Sequence, residues 1–132
     1  MLILDTNVLV YASLEDSEHH EEALALLNEE DATVPQIVVY EYLRVIAELT
    51  GDPGFVAAKA RELAELQVLC EAPRVLRLGV ELWAKQGAPL RDLNDYIILA
   101  LALTYRADLA TYDQALRRLA EKHGVKTRPR VL

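Results

Sequence analysis

Four carboxylates stand where a carboxylate is costly. Asp5 ends the apolar run Leu2-Ile3-Leu4, and the apolar pattern resumes at Val8. Glu41 interrupts IVVYEYLRVIAEL, Asp95 leads into YIILALAL, and Asp113 follows Asp108-Leu109-Ala110. A charge at the seam of buried segments is expensive unless it is paired or holds a cation. Asp5, Glu41, Asp95 and Asp113 therefore point to one acidic pocket, with the four acids as metal ligands and catalytic residues. Oxygen-only ligands suit Mg²⁺ or Mn²⁺. Such ions polarise phosphates and activate water, so the expected chemistry is phosphodiester hydrolysis.

Each acid taken alone has a structural alternative. Asp5 and Asp113 suit helix N-caps, although Thr6 or Asn7 can also cap. Glu41 can pair with Arg44, and Asp95 suits the first turn of a helix. Asp92 sits three residues before Asp95 and reads as an N-cap rather than a ligand. Thr111 either offers its hydroxyl to the site or closes the turn. The joint pattern carries the argument, because capping does not require a Glu inside a helix as well as acids after two strands.

The elements that must position these residues alternate. Strands are expected at Leu2–Leu4, Ala32–Val34, Gln67–Cys70, Asp108–Ala110 and Val125–Thr127. Helices are expected from about Asn7 to Ser13, Glu18 to Glu29 (capped by Asp16 or Ser17), Ile37 to Leu49, Pro53 to Leu66, Arg74 to Lys85, Asp92 to Tyr105 and Gln114 to Lys122. Gly51, Gly87 and Gly124 supply stops. The third helix should turn Ile37, Val38, Val45 and Leu49 inward, with Glu41 on that stripe. The helix carrying Ile97, Ile98, Leu99 and Leu101 is apolar nearly all round and should be buried. Alternation of this kind predicts an α/β fold, a parallel sheet covered on both faces. Sites in such sheets lie beyond the carboxyl ends of the strands, where strand order reverses. Asp5 and Asp113 meet there if their strands are neighbours.

The chain has 132 residues, 52% hydrophobic and 27% charged, and reads as one domain spanning 1–132. Its single cysteine, Cys70, excludes an internal disulfide and reads as a small core residue. The first ten residues contain no Lys or Arg, unlike a secretory leader, and no apolar run reaches membrane-spanning length. A soluble, cytoplasmic protein without membrane association is expected. There is no phosphate-binding glycine loop and no Cys/His cluster. His19 and His20 read as part of a solvated face, and His123 as a helix C-cap.

The net charge is −7 but unevenly spread. The first 43 residues hold ten acids and no Lys or Arg. A polyanion approaching the pocket must therefore meet later cations: Arg44, Lys85, Arg91 and a basic tail that includes Arg117 and Arg118.

At these residues the chain resembles the PIN-domain nucleases, and among them the VapC-type toxins of prokaryotic toxin–antitoxin pairs. LILDTNVLVY is similar to the family's opening strand with its Asp-Thr-Asn, and VVYEYLRVIAEL to its Glu-bearing helix. LNDYIILALAL resembles its Asp-led helix, and ADLATYDQAL its strand ending in Thr-x-Asp. The resemblance implies a three-layer α/β/α fold with about five parallel strands and a Mg²⁺- or Mn²⁺-dependent ribonuclease. It points to Asp5, Glu41, Asp95 and Asp113 as the acidic cluster, supported by Thr6, Asn7 and Thr111. It further implies an RNA substrate, a homodimer and a small antitoxin partner. Two departures stand out. Tyr96 follows the third acid where the family commonly has a small residue, which would crowd the pocket, and the stretch between Asp5 and Glu41 is unusually acidic. The competing readings are a non-catalytic PIN-like interaction module and another Mg²⁺-dependent α/β phosphohydrolase. A haloacid-dehalogenase-like Asp-x-Asp is interrupted here by Asn7.

Overall fold

A computed structural model describes residues 1–132. The strands are β1 (Leu2–Leu4), β2 (Ala32–Pro35), β3 (Gln67–Leu69), β4 (Asp108–Ala110) and β5 (Thr127–Arg128). The helices are α1 (Thr6–Ser13), α2 (His20–Leu27), α3 (Gln36–Thr50), α4 (Pro53–Leu63), α5 (Pro73–Gln86), α6 (Leu93–Tyr105) and α7 (Gln114–Lys122), with a short 3₁₀ turn at Leu90–Asp92. No helix is long and apolar enough to cross a membrane.

All strand pairs are parallel, in the order β3-β2-β1-β4-β5. The chain leaves β1 and β2 in one direction along the sheet, then crosses back over to β4. Right-handed crossovers put helices reached in opposite directions on opposite faces. The packing agrees: α1 contacts α2 and α3, and α3 contacts α4, whereas α6 contacts α5 and α7. The expected three-layer α/β/α architecture is the observed one.

β1 is central, and Leu2, Ile3 and Leu4 are fully buried, which explains its unbroken apolar run. In register, Leu4 faces Ala110 of β4, so Asp5 and Thr111 follow at the same level. α6 is buried on every side from Tyr96 to Ala102. It packs against α5 at Gly79, where an added Cβ would stand 2.9 Å from Ile97 Cα and 3.0 Å from Tyr96 O. A glycine is therefore what lets the Asp95-bearing helix approach this closely.

Several sequence expectations need correction. α3 buries Val38, Tyr42 and Ile46, while Leu49 lies exposed. Its apolar run contains two i,i+4 stripes one residue apart, and the helix turns the other one inward. Glu41 consequently borders the buried stripe beside Tyr42. α2 starts later than expected, with no side-chain cap at His19; Ser17 Oγ instead accepts from the His19 N–H. α4 stops at Leu63 because the Ala64, Glu65 and Leu66 N–H groups turn back to carbonyls three residues earlier. β3 is an edge strand, and Cys70 beyond it is exposed rather than in the core. β5 begins only at Thr127, because the Val125 N–H is used to close α7 on the Ala120 carbonyl.

Candidate active site

The carboxyl ends of β1 and β4 meet at the point where the connections diverge, the usual location of a site in such a sheet. Asp5 is buried there. Its Oδ1 accepts from the Thr6 N–H at 2.8 Å, and its Oδ2 accepts from Thr111 Oγ1 at 2.7 Å. Thr111, fully buried, also accepts through Oγ1 from the Asp113 N–H (3.1 Å) and from Asn7 Nδ2 (3.4 Å). One hydroxyl thus uses its single donor and both acceptor positions. Asn7 Oδ1 accepts from the Tyr112 N–H at 3.1 Å, and Thr6 Oγ1 donates to Glu41 Oε2 at 3.1 Å. Thr6, Asn7 and Thr111 therefore bind the ends of β1 and β4 to each other and to the second turn of α3.

Asp113 opens α7, and its Oδ1 accepts from the Ala115 and Leu116 N–H groups at 2.8 and 3.1 Å. It caps the helix and is exposed at the mouth of the site. Asp95 lies in the first turn of α6, half-buried, and nothing donates to its carboxylate. Burial pushes its pKa up to about 7, helped by the charges of Asp5, Asp113, Asp92 and Glu41. Burial also raises Asp5, to about 6; the bonds from Thr111 and Thr6 pull it down, and Glu41 and Asp113 push it up again. The four acids singled out from sequence thus share one electrostatic neighbourhood, in which each added negative charge resists the next.

Asp92 departs from expectation. It occupies the N-cap position of α6, but its side chain makes no capping bond. Its nearest cation is Arg91, with Nε at 3.8 Å. Asp92, Asp95 and Tyr96 line a cleft of about 210 Å³ with Ala115, Leu116 and Leu119. Tyr96 is largely buried against the core and forms one wall of this cleft.

No three acidic, histidine or cysteine side chains stand close enough to enclose a metal ion in this arrangement. The donor chemistry nevertheless fits a hard divalent cation. The set contains only oxygen, it carries mutual repulsion that a cation would relieve, and Asp95 has no competing donor.

Other residues at the site carry little sequence signal. Arg117 is buried, not part of a solvated basic tail. Its Nη1 donates to the Thr111 carbonyl at 2.9 Å and its Nη2 to the Pro129 carbonyl. The available clue was its place beside Leu116 and three residues before Ala120, on the inward face of α7. Glu71, just beyond β3, accepts from the Ile37 N–H at 2.8 Å and anchors the start of the Glu41 helix. His19 is not simply solvated: it stacks on Tyr112, with ring centres 4.5 Å apart, and Tyr11 meets both rings at 5.2 Å. Burial and the bond to Glu22 keep the Tyr112 phenol protonated, above its usual range. His123 behaves as expected, closing α7 with Nδ1 3.0 Å from the Leu119 carbonyl.

Comparison with known proteins follows the same lines. The model of the PIN domain family matches residues 2–122. No curated protein matches. Among solved structures, VapC20 of Mycobacterium tuberculosis, described as a sarcin-ricin loop cleaving toxin, superposes with a TM-score of 0.75 at 15% identity. The match covers 90% of this chain and 95% of that one. FitAcB of Neisseria gonorrhoeae gives 0.70 at 22% identity, covering 96% of each chain. VapBC2 of Rickettsia felis, bound to a DNA fragment from its promoter, gives 0.69 at 18%, again over 96% of each. Likeness at these identities establishes a shared fold.

Proposed function

The chain belongs to the PIN domain family, and on that premise we propose that it is a divalent-metal-dependent ribonuclease of the VapC toxin type. The observation that supports this reading is the mutual electrostatic influence of Asp5, Glu41, Asp95 and Asp113 around the β1–β4 seam. There Thr111 joins Asp5 to the start of the Asp113 helix. A pocket with this much negative charge would repel an RNA phosphate unless a cation intervened.

Asp5, Glu41, Asp95 and Asp113 would hold Mg²⁺ or Mn²⁺. A bound ion of this kind polarises a phosphate and makes water more acidic. The chain's own residues do the positioning. Thr111 fixes Asp5 Oδ2, Thr6 orients Glu41, and Asn7 holds the backbone of the β4–α7 turn. Asp5 and Asp95 must be ionised to serve as ligands, so cation uptake is coupled to proton release.

The RNA path runs over exposed cations rather than the acidic first 43 residues. Arg44, Lys85, Arg91 and Arg118 are exposed; Arg91 adjoins Asp92 at the edge of the Asp95 cleft. Arg117 is not part of this path. Residues 1–132 act as one domain, working as a homodimer in the cytoplasm and restrained by a small antitoxin protein. The solved structures it resembles include a toxin–antitoxin complex from Klebsiella pneumoniae and VapBC-1 from nontypeable Haemophilus influenzae. A non-catalytic PIN module is the second reading, favoured by the absence of three ligating side chains already gathered around one point.

One experiment separates them. Purified protein is incubated with tRNA, rRNA and mRNA in Mg²⁺, Mn²⁺ or EDTA, beside Asp5→Asn. Cleavage that needs the ion and disappears in the variant is expected. Cleavage persisting in Asp5→Asn would sink the central assignment, and none with any RNA or ion would favour the binding module.

A further inference from the structure

We propose that Tyr112 and Glu22 form a positioning lock on the turn that carries Thr111 and Asp113; its effect on catalysis, though not its existence, rests on the nuclease reading. Tyr112 lies between two site residues, and its hydroxyl donates to Glu22 Oε1 at 2.8 Å across 90 positions of sequence. Glu22 belongs to α2, which packs on α1, and α1 begins immediately after Asp5. A ring therefore closes: Asp5 leads through α1 and α2 to Glu22, then through Tyr112 and Thr111 back to Asp5 Oδ2. Each hydrogen bond in this ring limits how far the β4–α7 turn can drift from the end of β1.

The ring of Tyr112 is held as well as its hydroxyl. His19 stacks on it at 4.5 Å with planes 26° apart, and Tyr11 meets it edge-on at 5.2 Å. These contacts aim the phenol at Glu22 instead of leaving it to rotate into solvent. No Lys, Arg or His side chain stands within ion-pair distance of Glu22, so this acid serves as an acceptor to a phenol rather than as half of an ion pair. Asn7 and Arg117 also hold the turn, through the Tyr112 N–H and the Thr111 carbonyl. Losing the lock should loosen the turn without releasing it.

The test compares the full-length wild type with Tyr112→Phe, Glu22→Ala and Glu22→Gln. Phe keeps the ring and loses only the donor; Gln keeps an acceptor oxygen without the charge. Three readouts are taken: amide exchange at Asp113, Ala115 and Leu116, Mn²⁺ titration without RNA, and kcat and KM on a cleaved RNA. Tyr112→Phe and Glu22→Ala should speed exchange at those amides about tenfold, in line with one lost charge-assisted hydrogen bond. They should also weaken Mn²⁺ binding and lower kcat about tenfold while KM stays within about twofold. Glu22→Gln keeps a neutral bond of roughly half the strength and should recover about half of each loss on a logarithmic scale. Unchanged exchange in Tyr112→Phe and Glu22→Ala overturns the lock. So does a Gln variant as impaired as the Ala variant, or an effect confined to KM, which would make Tyr112 a substrate contact. If the wild type cleaves no RNA, the nuclease reading fails, and the exchange and Mn²⁺ results still decide the lock.

Discussion

Thr111 Oγ1 donates to Asp5 Oδ2 at 2.7 Å, joining the ends of two neighbouring strands that lie more than a hundred residues apart in sequence. The same oxygen accepts from the Asp113 N–H and from Asn7 Nδ2. Three pieces of the site are thus fastened to one hydroxyl.

Thr111→Val keeps the shape of the side chain and removes the hydroxyl. Asp5 then loses the hydrogen bond that holds its pKa down, so its titration should move upward. Two donors, the Asp113 N–H and Asn7 Nδ2, also lose their acceptor, and stability should fall by about 1–3 kcal/mol. Thr111→Ser should restore most of both. Urea melts and NMR titration of the Asp5 carboxyl check this; identical values in the Val variant would mean that the bond is not formed in solution.

The raised carboxylates make the metal-free protein more stable in mild acid. Asp5 and Asp95 shift from a reference value of 3.8 to about 6 and about 7. Between those limits the folded state binds more protons than the unfolded state, so stability falls as pH rises. The contribution is full below pH 3.8 and gone above about 7. For buried Asp5 it is on the order of 2–3 kcal/mol. Urea melts in EDTA at pH 5 and pH 8 should show the difference. Asp5→Asn should remove the Asp5 share of it and leave the part that burial gives Asp95, and Asp92→Asn should lower the Asp95 pKa by removing one of its negative neighbours. Mn²⁺ affinity should rise over the same pH range. A metal-free protein more stable at pH 8 than at pH 5 would contradict the electrostatic account of the site.

Arg117 and Arg118 are adjacent in sequence and opposite in role. Arg117→Met leaves the Thr111 and Pro129 carbonyls without their donor, and should cost about 2–4 kcal/mol. Arg118→Glu changes an exposed side chain and should shift stability by less than about 0.5 kcal/mol. If Arg118 lies on the RNA path, only its variant should weaken RNA binding in a salt-dependent way while the melting temperature holds. Equal melting temperatures for the two variants would contradict the buried position of Arg117.

What the sequence made legible follows from periodicity. Apolar runs located β1 and the buried α6, and alternation of elements gave the parallel sheet. Acids breaking those runs point to Asp5, Glu41, Asp95 and Asp113, which the fold brings into one electrostatic neighbourhood. Periodicity failed where two solutions fit the same run, as in α3, whose neighbouring stripes differ by one residue. It failed again at β5, where Val125 is apolar but its N–H closes a helix. Bonds between distant segments leave no periodic trace. Arg117, Glu71 and the Tyr112–Glu22 pair look like surface residues until the sheet brings their partners to one edge. Cys70 and His19 differ from their sequence reading for a related reason: local composition does not say that Cys70 follows an edge strand, or that the Tyr11 and Tyr112 rings pack on His19.

Gly79 sets how closely α6, and with it Asp95, approaches α5. A Cβ there would meet Ile97 Cα at 2.9 Å and Tyr96 O at 3.0 Å, both backbone atoms that cannot rotate aside. Ala is the better helix former by roughly 1 kcal/mol, so propensity alone predicts that Gly79→Ala stabilises. Overpacking of a tight helix contact typically costs about 1–3 kcal/mol, and with no slack at this crossing the clash should win. The expected outcome is a lower melting temperature together with weaker Mn²⁺ binding, because Asp95 lies two residues before Ile97 and moves with the helix. Val80→Ala, on the exposed side of α5, is the control and should leave Mn²⁺ binding unchanged. A Gly79→Ala protein that melts higher and binds Mn²⁺ normally would show that α5 and α6 have room to spare, and that the position of Asp95 does not depend on their close contact.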